Sequence, residues 1–257
     1  VNGVESSYVD LQDATHLEFE YMQQMLLALK NVLELPQPRI LHLGGAACAF
    51  ARTIHALHPH TRQLVVELDG ELARLARQWF DLPRSPALRI RVGEARESLT
   101  SMAGHWDAVV RDAFAGAVVP DHLTSVEFLE QIAAHLNPGG LYLGNLVDHP
   151  PLPVARREVA SALKVFPHVA LAVEPAILKN RRFGNLVILG SHSPIEEVVL
   201  PRRLLALPAP VRLLGGPALV DFAGTAAPIL DAELGSRAAS SAAQADVAGP
   251  EDSLSLS

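Results

Sequence analysis

The chain has 257 residues, 21 Lys and Arg against 28 Asp and Glu for a formal net charge of −7, and a single cysteine, Cys48. That length makes one large domain or a domain with small attachments, and one cysteine excludes an internal disulfide framework or a zinc site built on paired cysteines. The acidic balance argues against binding nucleic acid through a broad basic face and admits a cationic substrate.

The opening residues show neither a basic nor an apolar leader segment, so no signal peptide is expected. One helix is expected from about Thr15 to Leu33, with Glu18 and Glu20 in its first turns. Pro36 and Pro38 separate it from the first sheet strand. From residue 39 short apolar runs alternate with amphipathic stretches. Strands are expected at 39–43, 63–67, 88–92, 106–111, 141–147, 168–173 and 185–189. Helices are expected at 47–57, 71–80, 95–102, 126–136 and 154–165, with a turn at 137–140. This rhythm predicts βαβ units and a doubly wound, mostly parallel α/β sheet. The last two strands lack a long helix between them and predict an antiparallel edge hairpin. Hydrophobic residues make up 49% of the chain, yet no run reaches the roughly 18–20 residues of a membrane span. The apolar excess belongs to a sheet covered on both faces.

The expected organisation is a helical segment at 1–38, a nucleoside-binding domain at 39–191 and a Pro-rich extension at 192–234. Residues 235–257, of which 15 in 23 are Ala, Ser, Gly or Pro, are expected to be a disordered tail.

Four places carry chemistry. Gly44, Gly45, Ala46 and Ala47 follow the first sheet strand and open a helix, where small residues let a ligand approach free N–H groups. Glu67 closes the next strand, 23 residues beyond Gly44, where an acid accepts hydrogen bonds from a ribose diol; Asp69 is close enough to compete but reads better as a helix cap. Glu94 and Ala95 follow the third strand, either beside an adenine or as a plain helix start. Asp112 closes the central strand at its carboxyl end, where it either handles the proton of an incoming amine or serves a turn. Cys48 is a packing residue or, at a helix N-terminus, a thiol of lowered pKa. His55, His58 and His60 read as a solvated loop, and no metal is expected.

Taken together, Leu-His-Leu-Gly-Gly at 41–45, Val-Val-Glu-Leu-Asp at 65–69, Val-Gly-Glu-Ala-Arg at 92–96, Trp-Asp-Ala-Val-Val-Arg-Asp at 106–112 and Leu-Asn-Pro-Gly-Gly at 136–140 resemble the spermidine synthase family. Glu18-Phe19-Glu20-Tyr21 is similar to that family's E-F-x-Y helix. The resemblance implies a seven-stranded class I methyltransferase-like fold and aminopropyl transfer from decarboxylated S-adenosylmethionine to an amine. It implies Gly44, Gly45 and Ala46 at the sulfonium end, Glu67 and Leu68 at the ribose, Glu94 and Ala95 at the adenine, and Asp112 as the catalytic carboxylate. Tyr21, Phe114 and His122 would line the acceptor side.

Departures from the family pattern fall on the substrate side. Ala47 stands where the family has an Asp for the donor's amine, Ala115 where it has a second acceptor Asp, and Met22 where a Gln follows the Tyr. The late loop brings Arg181 and Arg182 and no Tyr. An altered acceptor and poor use of putrescine are therefore expected. A methyltransferase using S-adenosylmethionine is the runner-up, although His42 stands where such enzymes usually carry an acid. An inactive nucleoside-binding protein is the third reading. The expected partners are a small amine and a second copy of the chain, without nucleic acid or membrane, in the cytoplasm.

Overall fold

The computed structural model describes residues 7–196 and 198–234; the expected tail at 235–257 lies outside them. Near the start, the Asp10 carboxylate accepts from the N–H groups of Gln12 and Asp13, and Asp13 accepts from Thr15. Such local bonds compete with helix formation. The first helix, α1 (Glu20–Ala28), therefore begins later than the apolar pattern predicts, and a short α2 (Lys30–Leu33) follows it.

The sheet domain then runs β1 (Arg39–Leu43), α3 (Ala49–Leu57), β2 (Arg62–Glu67), α4 (Gly70–Trp79), β3 (Leu88–Val92), α5 (Ala95–Thr100) and β4 (Trp106–Arg111). A 3₁₀ turn (Asp121–Leu123) leads into α6 (Val126–Ala134), β5 (Leu136–Asp148), α7 (Pro153–Val165), β6 (His168–Val173), α8 (Pro175–Leu178) and β7 (Gly184–Ser191). The described chain adds α9 (Val199–Leu205), β8 (Arg212–Gly215) and α10 (Gly216–Ala223).

The strands form one sheet in the order β3-β2-β1-β4-β5-β7-β6-β8. Neighbours from β3 to β5 are parallel, whereas β7 lies between β5 and β6 and runs antiparallel to both. The sheet has eight strands, which corrects the expected seven. The eighth, β8, is four residues long and shows no alternation of burial. Its strand character comes from pairing with β6, Leu171 opposite Leu214, and not from its own pattern. The 192–234 segment thus supplies β8, α9 and α10 to the sheet and its cover. The expected turn at 137–140 is a bulged start of β5: the register jumps between Trp106–Leu136 and Ala108–Leu141, and Gly139 has φ +80°.

Alternation along β1 shows how the two faces fill. Leu41 and Leu43 join Val66, Phe128, Tyr142 and Leu171 on the face covered by α5, α6, α7 and α10. Ile40 joins Met25, Leu29, Ile54, Leu143 and Val187 on the face covered by α1, α2, α3 and α9. Inside the first layer Arg111 of β4 pairs with Glu158 of α7, both fully buried, and its Nε donates to the Tyr142 hydroxyl at 3.1 Å. Burial pushes the Glu158 carboxyl up to about 7, against the pull of Arg111. No helix among the described residues is long and apolar enough to cross a membrane.

Candidate functional site

The carboxyl ends of β1, β2, β3 and β4 open into a cavity of about 590 Å³, within the ordinary size of a small-molecule site. The chain leaves β1 through Gly44, whose φ of +87° suits glycine and whose missing side chain leaves room for the Asp112 carbonyl. A side chain there would collide with it. The Glu67 carboxylate reaches across from β2: Oε2 accepts from Gly45 N at 3.1 Å and Ala46 N at 2.8 Å, and Oε1 from Asp69 N at 3.0 Å. Asp69 caps α4 by accepting from Glu71 N and Leu72 N, as the sequence pattern suggests.

Glu94 does two jobs. One oxygen caps α5 by accepting from Glu97 N at 2.8 Å, and the other meets His122 Nε2 at 3.0 Å. Partial burial works to raise its pKa, but the bonds from the Glu97 and Arg96 backbone and from His122, with the His122 charge, together hold the carboxyl below its ordinary value. The helix cap Glu94 also lines the cavity, with Leu68, Ala95 and His122.

Asp112 is held from both the backbone and the side chain. Its N–H donates to Leu43 O at 2.9 Å, which ties the end of β4 to β1. Its Oδ2 accepts from the Tyr21 hydroxyl and its Oδ1 from Asn145 Nδ2, each at 2.8 Å. Asn145 Oδ1 in turn accepts from Asn185 Nδ2 at 3.0 Å. Burial raises the Asp112 carboxyl above its ordinary value, opposed by the bonds from Asn145 and Tyr21 and by the Arg111 charge. Tyr21 is pushed well up by burial and by the neighbouring carboxylate, so its hydroxyl stays a donor.

His42 is buried, and its Nε2 donates to Gln63 Oε1 at 2.9 Å; burial lowers it to about 4, so it lines the cavity as a neutral ring. Cys48 is also buried, and burial pushes its thiol up to about 12, which favours the packing reading over the reactive one. Phe114 and Ala115 also line the cavity. Arg181 and Arg182 do not line the cavity. Arg182 turns outward to Glu174 at 3.1 Å and Glu20 at 3.8 Å. No Lys or Arg among the described residues lines it. Asn145 and Asn185 escaped the sequence reading. The one available signal was an amide inside the apolar run 141–147.

No protein-family model matches the chain. Its sequence and fold align with a probable spermidine synthase from Corynebacterium glutamicum at 36% identity and TM-score 0.84, covering 100% of this chain and 89% of that one. The chain belongs to the spermidine synthase family. A polyamine aminopropyltransferase from Vibrio vulnificus is 30% identical over 152 residues, 55% of this chain and 50% of that protein. The chain spans about half the length, or less, of the curated relatives it matches first. Human methyltransferase-like protein 13 shares the fold, with TM-score 0.59 at 18% identity over 80% of this chain and 89% of that one. The class I methyltransferase-like fold expected from the family motifs is therefore present, with one strand more.

Proposed function

We propose that this spermidine synthase-like chain transfers an aminopropyl group from decarboxylated S-adenosylmethionine, or a related adenosyl sulfonium, to an amine other than putrescine. The observation that carries the reading is the Asp112 carboxylate, held by Tyr21 and Asn145 in the same cavity as the Gly44–Ala46 turn, Glu67 and Glu94. Oε2 of Glu67 is filled by two backbone bonds, but Oε1 accepts only one and keeps lone-pair capacity for a ribose hydroxyl. Leu68, Glu94 and Ala95 would flank the adenine. No cationic Lys or Arg faces the sulfonium, and Asp112 stabilises its positive charge.

In this reading the neutral amine attacks the carbon next to sulfur. Its lone pair forms the C–N bond, the C–S pair returns to sulfur, and methylthioadenosine leaves as an uncharged thioether. The acceptor amine is protonated at neutral pH, and Asp112 takes the proton that must leave; burial raises its basicity. Tyr21, Phe114 and His122 would line the acceptor side. The transfer so written needs no metal. The buried, unpaired thiol of Cys48 suits a cytoplasmic, reducing setting.

A diamine dication is best held by carboxylates at both ends. Here Asp112 stands with the amides of Asn145 and Asn185 and with Ala115. This composition supports a different acceptor. The test is calorimetric titration with decarboxylated S-adenosylmethionine, S-adenosylmethionine and methylthioadenosine, with mass spectrometry of an amine panel as the product readout. An aminopropylated product is expected, and Asp112→Asn should abolish it with donor binding retained. A methylated product, or binding without turnover, overturns the transfer assignment; robust spermidine formation overturns the acceptor assignment.

A further inference from the structure

We propose that the chain binds a small, multiply charged phosphate anion at the amino ends of β1, β2 and β3, the end of the sheet opposite the candidate cavity. Arg39, Arg62 and Arg89 stand at or next to the amino ends of β1, β2 and β3. Arg39 lies directly opposite Arg62, and Arg89 lies opposite Leu64, two residues beyond Arg62. Alternation along a strand therefore sends all three guanidinium groups from one face of three adjacent strands. Neighbouring strands are about 4.8 Å apart, and like charges placed opposite one another repel.

None of the three forms an ion pair among the described residues, and the carboxylate beside them is that of Asp107. Other arginines of the chain, such as Arg74, Arg96 and Arg157, each hold a carboxylate, whereas Arg39, Arg62 and Arg89 are exposed and make no ion pair. Asp107, beside Arg39 in space, spends Oδ2 on Arg39 N at 2.8 Å and Oδ1 on Asn137 Nδ2 at 2.7 Å.

A second observation is the concave shape of this arginine-lined surface. The three arginines line a groove of about 340 Å³ with Ser85 and Trp106. Arg39 stacks on the Trp106 ring, 4.7 Å from its centroid. Trp106 is 6% exposed, and its indole Nε1 has no hydrogen-bond partner. A buried N–H without an acceptor is costly. The groove thus gathers three guanidinium forks and a hydroxyl that can donate. Guanidinium forks match phosphate oxygens bidentately. The groove's size fits a compact anion, and the net charge of −7 disfavours a long polyanion.

The test titrates inorganic pyrophosphate into the full chain at constant ionic strength. Calorimetry tracks binding, and Trp106 fluorescence is read in a Trp79→Phe background, since the chain has two tryptophans. Saturable binding with a change in Trp106 emission is expected. Arg62→Gln should weaken it about tenfold or more, and Arg39→Gln/Arg62→Gln/Arg89→Gln should remove it. In anion-free buffer Arg62→Gln should melt no lower than the parent, because it relieves repulsion. Absence of saturation, binding undiminished in the triple variant, or a single-stranded RNA binding more tightly than pyrophosphate would overturn the proposal.

Discussion

Tyr21 and Asp112 are 91 positions apart in sequence and share one hydrogen bond. Removing the Tyr21 hydroxyl takes away a bond that favours the ionised carboxylate, so the Asp112 pKa rises further. If Asp112 accepts the amine's proton, it must be ionised, and the acid limb of the pH–rate profile for kcat/KM moves to higher pH in Tyr21→Phe. A drop in rate of about tenfold or more near neutrality is expected, in the range of acid–base positioning effects, with partial recovery at higher pH. An unshifted profile would assign Tyr21 to packing alone. His42 carries a second pH effect. Burial lowers it from 6.5 to about 4. The unfolded chain therefore takes up a proton near 6.5 that the folded chain refuses until about 4. Folded stability falls as pH drops through that window, by about 3 kcal/mol in full. In His42→Gln this loss disappears, so the stability gap between parent and variant narrows from pH 7.5 toward pH 4.5 in urea unfolding. A gap that stays constant with pH rejects the neutral-ring assignment.

At the scale of elements, the site depends on the close approach of two strand ends. Gly44 after β1 lies against the backbone of Asp112 after β4, with no room for a Cβ and with φ +87°. Gly44→Ala must push the two apart or strain the turn, so it should lower transfer far more than it lowers the melting temperature; equal losses in both would make the turn merely structural. Next to Asp112, the Arg111–Glu158 pair joins β4 to α7 without solvent. Breaking one side leaves a buried charge, so Arg111→Met should cost about 3–5 kcal/mol. Arg111→Met/Glu158→Leu should recover much of that loss, because an apolar pair of similar size needs no desolvation. Denaturant midpoints of the two variants check this.

Across the whole molecule, what was legible in the sequence had local causes. Buried parallel strands are apolar runs, so β1 to β4 stood out, and so did Gly44, Glu67, Glu94 and Asp112 at their carboxyl ends. Features made by distant pairing did not. Asn145 and Asn185 meet diagonally because β5 and β7 pair antiparallel, with Asn145 opposite Val187 and Val147 opposite Asn185. Arg111 finds Glu158 only once α7 packs on the sheet. β8 is the clearest case, since its four residues become a strand against β6. Its importance is testable. β8 bonds to β6, and α10 buries Leu219 and Phe222 in the core shared with α7 and β6. Burying each such side chain is worth about 1.5–3 kcal/mol, and with the lost β6–β8 bonds the sum approaches the ~5–15 kcal/mol that keeps an ordinary domain folded. A chain ending at Leu207 should therefore lose its cooperative thermal transition or aggregate. A truncated chain that melts cooperatively near the parent's temperature would show that the 39–191 segment folds without its eighth strand.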